Sequence, residues 1–238
     1  MLTALNVTGR VEASRSLVRT QRFTCPVCNS AVTLKPGRVI VPHFAHRPGS
    51  DCSAGQGETR EHLQAKATML AGLRASGYVV SAEIDHRDRR VDVRVETKRG
   101  PVAIELQHSP IDLATIKQRN RADRAHGYFD TLWVFLPSRV PGEGERRVPA
   151  EIRDLCKSRP VWVLTGERLF QLRLETIVRP GGEYYLPDGD GDTAWAPDRA
   201  LVSTKRVSFL PRHFGLKVSQ RQSGKRSFVT FVSTPVVK

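Results

Sequence analysis

The chain has 238 residues, 39% of them hydrophobic and 26% charged, which suffices to bury one full core and suggests one main domain with a small appendage. It contains no apolar run of about 20 residues and no charged-then-apolar leader, so neither a membrane span nor a signal peptide is expected and the cytoplasm is the expected compartment. A net charge of +14 favours a polyanionic partner, nucleic acid foremost, and four cysteines, three of them between residues 25 and 52 among histidines, argue against a disulfide framework.

Residues 1–22 mix short apolar pieces with charges and predict a strand or two. Phe23-Thr-Cys25-Pro-Val-Cys28 has knuckle spacing. It is followed by Val32-Thr-Leu-Lys-Pro-Gly37, a strand-like Arg38–Val41, Pro42-His43-Phe-Ala-His46 and Asp51-Cys52. A structural Zn²⁺ needs four borderline or soft ligands in a closed tetrahedron, which Cys25, Cys28, His46 and Cys52 can supply, with His43 competing for one place. A catalytic zinc deaminase is excluded, because His-x-Glu does not precede the Cys-x-x-Cys. Cys156 stands apart and reads as a buried apolar residue.

From Gly57 the pattern turns helical. Thr59 can cap, Leu63, Met69, Leu70 and Leu73 recur at three- and four-residue steps, and Gly77 follows the end. Glu58, His62 and Lys66 fall one turn apart on a stripe that merges into Met69 and Leu73, so their polar groups are expected to point inward, whereas Glu61 looks solvated. Tyr78–Asp85 reads as a strand. Arg90–Gln107 is two alternating runs joined by Thr97–Gly100, a β-hairpin whose register sets Val95 against Val102, Val93 against Ile104 and Asp92 against Glu105. On this reading Val91, Val93, Val95, Val102, Ile104 and Leu106 share the buried face, and Asp92, Glu105 and Gln107 share the other. Carboxylates opposed at roughly 5 Å repel unless a cation sits between them, and a divalent metal would serve; a solvated face softened by Arg90 and Arg94 is the plainer alternative.

A helix from Asp112 to Ala125, stopped by Gly127, leads to the continuous apolar run Thr131–Leu136. That connection implies a parallel strand pair with a right-handed crossover. Beyond it, Pro141–Arg147 reads as a linker turn, Val161–Leu164 and Leu169–Leu174 as a hairpin extending the sheet, and Asp188–Asp192 as an acidic turn, since Thr193 and Arg199 occupy the places of an EF-hand's glycine and glutamate. Residues 199–238 hold nine lysines and arginines and no acid, with Phe209, Phe214, Phe228 and Phe231 interleaved. A nucleic-acid-binding extension is favoured over a basic β-appendage whose aromatics are core. The expected division is 1–56, N-terminal strands and zinc hairpin; 57–137, the main α/β core; 138–198, sheet extension; and 199–238, basic extension.

The carboxylate hairpin resembles the active-site hairpin of PD-(D/E)XK phosphodiesterases, in which an aspartate and a Glu-x-Lys hold Mg²⁺ against the scissile phosphate. Here Gln107 stands at the lysine position. Helix, three strands, helix, strand is also the order of that restriction-endonuclease-like α/β core with its mixed sheet. Phe-x-Cys-Pro-x-Cys, Pro-His-Phe-Ala-His, Glu-x3-His-x3-Lys, Arg-x-Asp, Ile-Glu-x-Gln-x-Ser and Arg119 ahead of the aromatic strand with Trp133 resemble the successive blocks of the CoiA competence-protein family, over about residues 20–137. The resemblance implies a zinc-finger-like hairpin, a nuclease-type domain, and a role with RecA-type recombination of incoming DNA during transformation. By position Glu58, Asp92, Glu105 and Gln107 inherit the catalytic roles, with His62 and Lys66 beside them. The expectation is a cytoplasmic, Mg²⁺- or Mn²⁺-dependent deoxyribonuclease. Asp92 and Glu105 would hold one ion, Lys66 would either stand in for the missing lysine charge or simply pair with Glu58, turnover would be slow, and the substrate would be single-stranded or branched DNA. The rival expectation is a nuclease-derived DNA-binding module that assists a RecA-type recombinase without cutting.

Overall fold

The computed structural model describes residues 1–18, 21–52, 54, 58–140, 148–185, 193–197, 199–210, 214–220 and 227–233. β1 (Thr3–Asn6), β2 (Gly9–Glu12), β3 (Phe23–Thr24), β4 (Ala31–Lys35) and β5 (His43–His46) form a sheet in the order β2-β1-β3-β4-β5. Phe23, Val32, Leu34 and Phe44 alternate inward along these strands and pack with Met1 and Cys25 into a small separate core. The strand expected at Arg38–Val41 is absent. Gly37 turns the chain at φ 69°, in a bend so close that a Cβ there would collide with the Ile40 carbonyl, and pairing with β4 resumes only at β5.

The remaining elements are α1 (Arg60–Ala75), β6 (Val80–Asp85), β7 (Arg90–Val95), β8 (Val102–Gln107), α2 (Leu113–Ala125), β9 (Asp130–Phe135), α3 (Ala150–Ser158), β10 (Val161–Thr165), β11 (Arg168–Arg179), β12 (Gly182–Tyr185), β13 (Thr193–Ala196), β14 (Arg199–Leu210), β15 (Phe214–Gln220) and β16 (Ser227–Ser233). Seven strands make one mixed sheet in the order β14-β11-β10-β9-β8-β7-β6; β8, β9 and β10 run parallel and the rest antiparallel. The helix, three-strand, helix, strand order is therefore present in a mixed α/β architecture. Thr59 caps α1, its hydroxyl accepting from His62 N–H at 3.2 Å, and the Asp112 carboxylate caps α2 by accepting from Thr115 N–H at 2.7 Å.

Helices cover both faces of the sheet. Leu63, Met69, Leu70 and Leu73 of α1 pack on Val93, Ile104, Leu106 and Leu132, while Ile116 of α2 and Ile152 and Leu155 of α3 pack on Trp133, Phe135 and Val163. Strands covered twice need apolar residues at every position, and each residue of β8 and β9 is buried, so the carboxylates and amides among them carry function or partners. Among the described residues no helix is long and apolar enough to cross a membrane.

The hairpin expected from Val161 to Leu174 is present as β10 and β11 and does extend the sheet. Of the aromatics expected to serve a nucleic-acid-binding tail, Phe214 and Phe231 are instead core residues. Both are almost fully buried, and Phe231 meets Trp162 and Phe214 edge-on with ring centroids 5.6 and 5.4 Å apart. The Tyr78 hydroxyl accepts from Leu216 N–H at 2.9 Å, which ties the β15–β16 hairpin to the end of α1. Pro141–Arg147 and the acidic turn Asp188–Asp192 lie outside the described residues. Phe231→Ala should therefore cost about 3–5 kcal/mol in urea unfolding, as a large core deletion does; a loss under about 0.5 kcal/mol, the range of surface substitutions, would make the hairpin an appendage.

Candidate functional site

The first candidate centre follows from the turn between β3 and β4. Asn29 adopts φ 57° and its N–H donates to the Cys25 carbonyl at 3.0 Å, which folds Cys28 back beside Cys25. β5 brings His46 opposite Val32, and the chain returns with Cys52. The donor atoms of Cys25, Cys28, His46 and Cys52 all lie within 4.8 Å of one another, with Cys28 Sγ 3.4 Å from His46 Nε2 and Cys25 Sγ 3.9 Å from Cys52 Sγ. Backbone N–H groups of Val27 and Ala54 donate to the Cys25 and Cys52 sulfurs at 3.3 and 3.4 Å and so orient them. Hydrogen bonds from Ser30 bring the Cys28 thiol down to about 6, whereas burial pushes Cys52 up to about 11. Three sulfurs and one imidazole within reach of a common centre suit a structural metal such as Zn²⁺. His43 is not in the cluster: its Nδ1 lies 2.9 Å from the Val41 carbonyl.

The second centre lies where β7 and β8 part. Their pairing runs from Val95↔Val102 through Arg94↔Ala103 to Val93↔Ile104, the register expected from a Thr97–Gly100 loop. There it ends. Asp92 Oδ2 accepts the Leu106 N–H at 3.0 Å, so a side chain replaces the next ladder bond and Asp92 and Glu105 do not pair as ladder neighbours. Val91 consequently leaves the face of Val93 and packs with Ala103 and Tyr128. The two carboxylates still interact, because Asp92 is among the causes that raise Glu105.

On the α1 side, His62 Nε2 lies 3.2 Å from Asp92 Oδ2, and the His108 ring packs against His62 at a tilt, with centroids 4.8 Å apart. Although burial opposes it, His62, Lys66 and the Leu106 N–H hold the Asp92 carboxyl down to about 2. Lys66 is 1% exposed and bonds Glu58 Oε1 and, at 2.5 Å, Glu83 Oε1. Glu58 is not on α1 as expected; it precedes the Thr59 cap, and its other oxygen accepts from the Met1 amine at 2.6 Å. Glu83 was not singled out from the sequence. It sits in β6 at φ 56°, rare for a residue with a side chain, and its Oε2 takes Thr3 N–H at 3.1 Å and an Arg90 contact at 2.7 Å. Against the cost of its burial, Lys66 and Arg90 hold its carboxyl well below the usual range.

On the α2 side, Arg89 is fixed by both oxygens of the fully buried Asp123, and its Nη2 lies 3.1 Å from Glu105 Oε1. Arg119 reaches Glu105 Oε2 at 3.2 Å from the middle of α2. Burial and the Asp92 charge push the Glu105 carboxyl up to about 8, outweighing the pull of these arginines. Glu105 Oε1 is buried and accepts no hydrogen bond of good geometry, its one close contact being the Arg89 ion pair at 3.1 Å. Gln107 is turned away, donating to the Ser109 carbonyl at 2.6 Å and hydroxyl at 3.3 Å. Two neighbouring carboxylates, one with a buried oxygen that no hydrogen bond saturates, fit a hard divalent cation, which takes one or two carboxylates and keeps waters.

With this geometry, residues 8–55 match the family described as competence protein CoiA, N-terminal domain, and residues 58–151 the family described as competence protein CoiA, nuclease-like domain. The chain belongs to the CoiA family. Competence protein CoiA of Bacillus subtilis (strain 168) is 26% identical over 126 residues, 52% of this chain and 34% of that protein. Druantia protein DruB of Escherichia coli (strain UMEA 4076-1) is 42% identical over 48 residues, 19% of this chain and 9% of that protein. The chain thus spans about a third and a tenth, respectively, of these relatives' lengths. No solved structure matches.

Two measurements check the centres of this CoiA-family chain. Metal analysis should find close to one Zn²⁺ per chain, lost together with stability in Cys28→Ser and retained in His43→Ala; a metal-free protein of full stability would contradict the cluster. Glu105 is raised from 4.5 to about 8, so its contribution to apo stability is fully present below about pH 4.5 and is lost as pH rises through 8. Urea midpoints across that window should fall with pH in the wild type and flatten in Glu105→Gln.

Proposed function

We propose that this chain is a metal-dependent DNA phosphodiesterase acting in the cytoplasm in DNA uptake and recombination. The observation that carries the reading is Glu105: a buried carboxylate oxygen without a hydrogen bond, beside Asp92, where the β7–β8 ladder opens. Asp92 and Glu105 would hold one Mg²⁺ or Mn²⁺, which when bound would polarise the phosphate. In this reading the rest of the work belongs to the protein. His62 and the Leu106 N–H orient the Asp92 carboxylate, and Asp123 fixes Arg89 against Glu105. Glu58 and Lys66 neutralise each other within the α1 side and support the site without touching substrate. The finger and residues 57–137 act together on DNA, single-stranded or branched, and a cleft of about 340 Å³ lined by His43, His46, Arg47, Glu58, Arg60 and Leu63 lies between them. The net charge of +14 supports a polyanionic substrate.

A second reading, a DNA-binding module that assists a RecA-type recombinase without cleavage, is favoured by one observation. Gln107 takes the place of a lysine and spends its amide on Ser109. Catalysis and binding separate in one pair of variants. Asp92→Asn and Glu105→Gln should abolish Mn²⁺-dependent nicking of single-stranded and branched DNA and the Mn²⁺-induced rise in melting temperature, while DNA affinity stays within about twofold. Unchanged nicking and metal response in both variants would leave the binding module.

A further inference from the structure

We infer that Arg119 is the phosphate-binding cation of this site and that in the metal-free protein its guanidinium is stored on Glu105. The inference rests on the phosphodiesterase reading and supplies the charge that Gln107 cannot.

Arg89 and Arg119 contact Glu105 directly, and Lys66 and Arg90 stand nearby on Glu83. Three of them are committed. Lys66 is buried between Glu58 and Glu83, and withdrawing its ammonium would break a buried ion pair with each of them. Of the two expectations for Lys66, this favours the ion pair with Glu58 over the substitute for the missing lysine. Arg89 is 8% exposed and gripped by both oxygens of Asp123, which also accepts from the Thr131 hydroxyl. Arg90 is held on Glu83 at 2.7 Å.

Arg119 differs in each respect. Its side chain is 42% exposed, and its contact to Glu105 is one 3.2 Å bond from Nη1. α2 holds its backbone, since the Asp112 cap starts the helix and the neighbouring Asn120 accepts from the Trp133 indole N–H at 2.9 Å, locking α2 onto β9. The guanidinium can therefore leave Glu105 by side-chain rotation, with no movement of the helix. With a divalent cation held by Asp92 and Glu105, the charge that Arg119 supplies to Glu105 would no longer be needed there. Its planar fork would then be free to bind two oxygens of a phosphodiester. Arg89 stays on Glu105 through both states, so the carboxylate is never left wholly unpaired.

Three readouts on the full chain test this: Mn²⁺ affinity by titration of the free-ion resonance signal, melting temperature, and single-turnover cleavage of a single-stranded oligonucleotide. Arg119→Ala removes a cation competing for Glu105, so Mn²⁺ should bind several-fold more tightly while cleavage falls on the order of 100-fold, the scale of losing one preorganised charge donor. Arg119→Lys, which keeps charge and fold, should recover part of the cleavage and return Mn²⁺ affinity toward wild type. A structural brace would instead lower the melting temperature and leave Mn²⁺ affinity unchanged or weaker, which overturns the inference. Failure of the underlying reading looks different. There Asp92→Asn would not alter the Mn²⁺ binding of otherwise wild-type protein, and both proposals would fall; a site lost in Asp92→Asn but indifferent to Arg119→Ala sinks this one alone.

Discussion

The Lys66 ammonium, buried between Glu58 and Glu83, is the constraint from which much of the rest follows. A lone charge at 1% exposure is costly, and two carboxylates from different segments compensate it only if those segments are held in place. Glu58 fixes the chain entering α1, and Glu83 accepts a left-handed backbone in β6 to reach the ammonium, a strain on the order of 1–3 kcal/mol. Thr3 and Arg10 also meet this region, Thr3 through Glu83 Oε2 and Arg10 through the Ala82 carbonyl at 3.2 Å. One ammonium thus joins the N-terminal sheet, α1 and the edge of the main sheet.

The chemistry of the site is set by how charge is divided across the sheet. On the α1 face the cations are spent on acids of their own, and Asp92 is held ionised by His62 and by a backbone N–H that would otherwise continue the ladder. On the α2 face Glu105 is deeply buried, disfavoured as an anion by depth and by Asp92, and balanced by two arginines of unequal freedom. Two neighbouring carboxylates whose environments push them in opposite directions, one to about 2 and the other to about 8, mark this end of the hairpin as the candidate functional site.

Where local rules decide, the residues could be read directly. Period-two alternation and a four-residue loop give the β7–β8 register, the Thr59 and Asp112 caps mark both helix starts, and Cys-x-x-Cys spacing announces the finger. Arg38–Val41 misled because its apolar run says nothing of the Gly37 turn before it. Glu83 was invisible for a similar reason: strict alternation groups it with the partly exposed Ser81 and Asp85, and no residue type nearby signals φ 56°. Arg89, Asp123 and the Arg119–Glu105 contact join positions 14 to 34 residues apart, beyond any periodic signal. Phe214 and Phe231 looked like tail aromatics because basic neighbours dominate the composition, whereas alternation across β15–β16 puts them on the core face. The expected Asp92–Glu105 pairing failed because the ladder stops at Val93↔Ile104, where the aspartate captures a backbone donor that the register does not foretell.

The central claim is that Asp92 and Glu105 share one divalent cation. Anomalous diffraction at the manganese edge, from crystals of the full chain grown with Mn²⁺, tests it most directly. The account predicts a single manganese peak within coordination distance, about 2.0–2.3 Å, of both carboxylates, with the Arg119 guanidinium displaced from Glu105. Crystals in which Arg119 still holds Glu105 and no manganese lies between the two acids, at concentrations that saturate binding in solution, would contradict it.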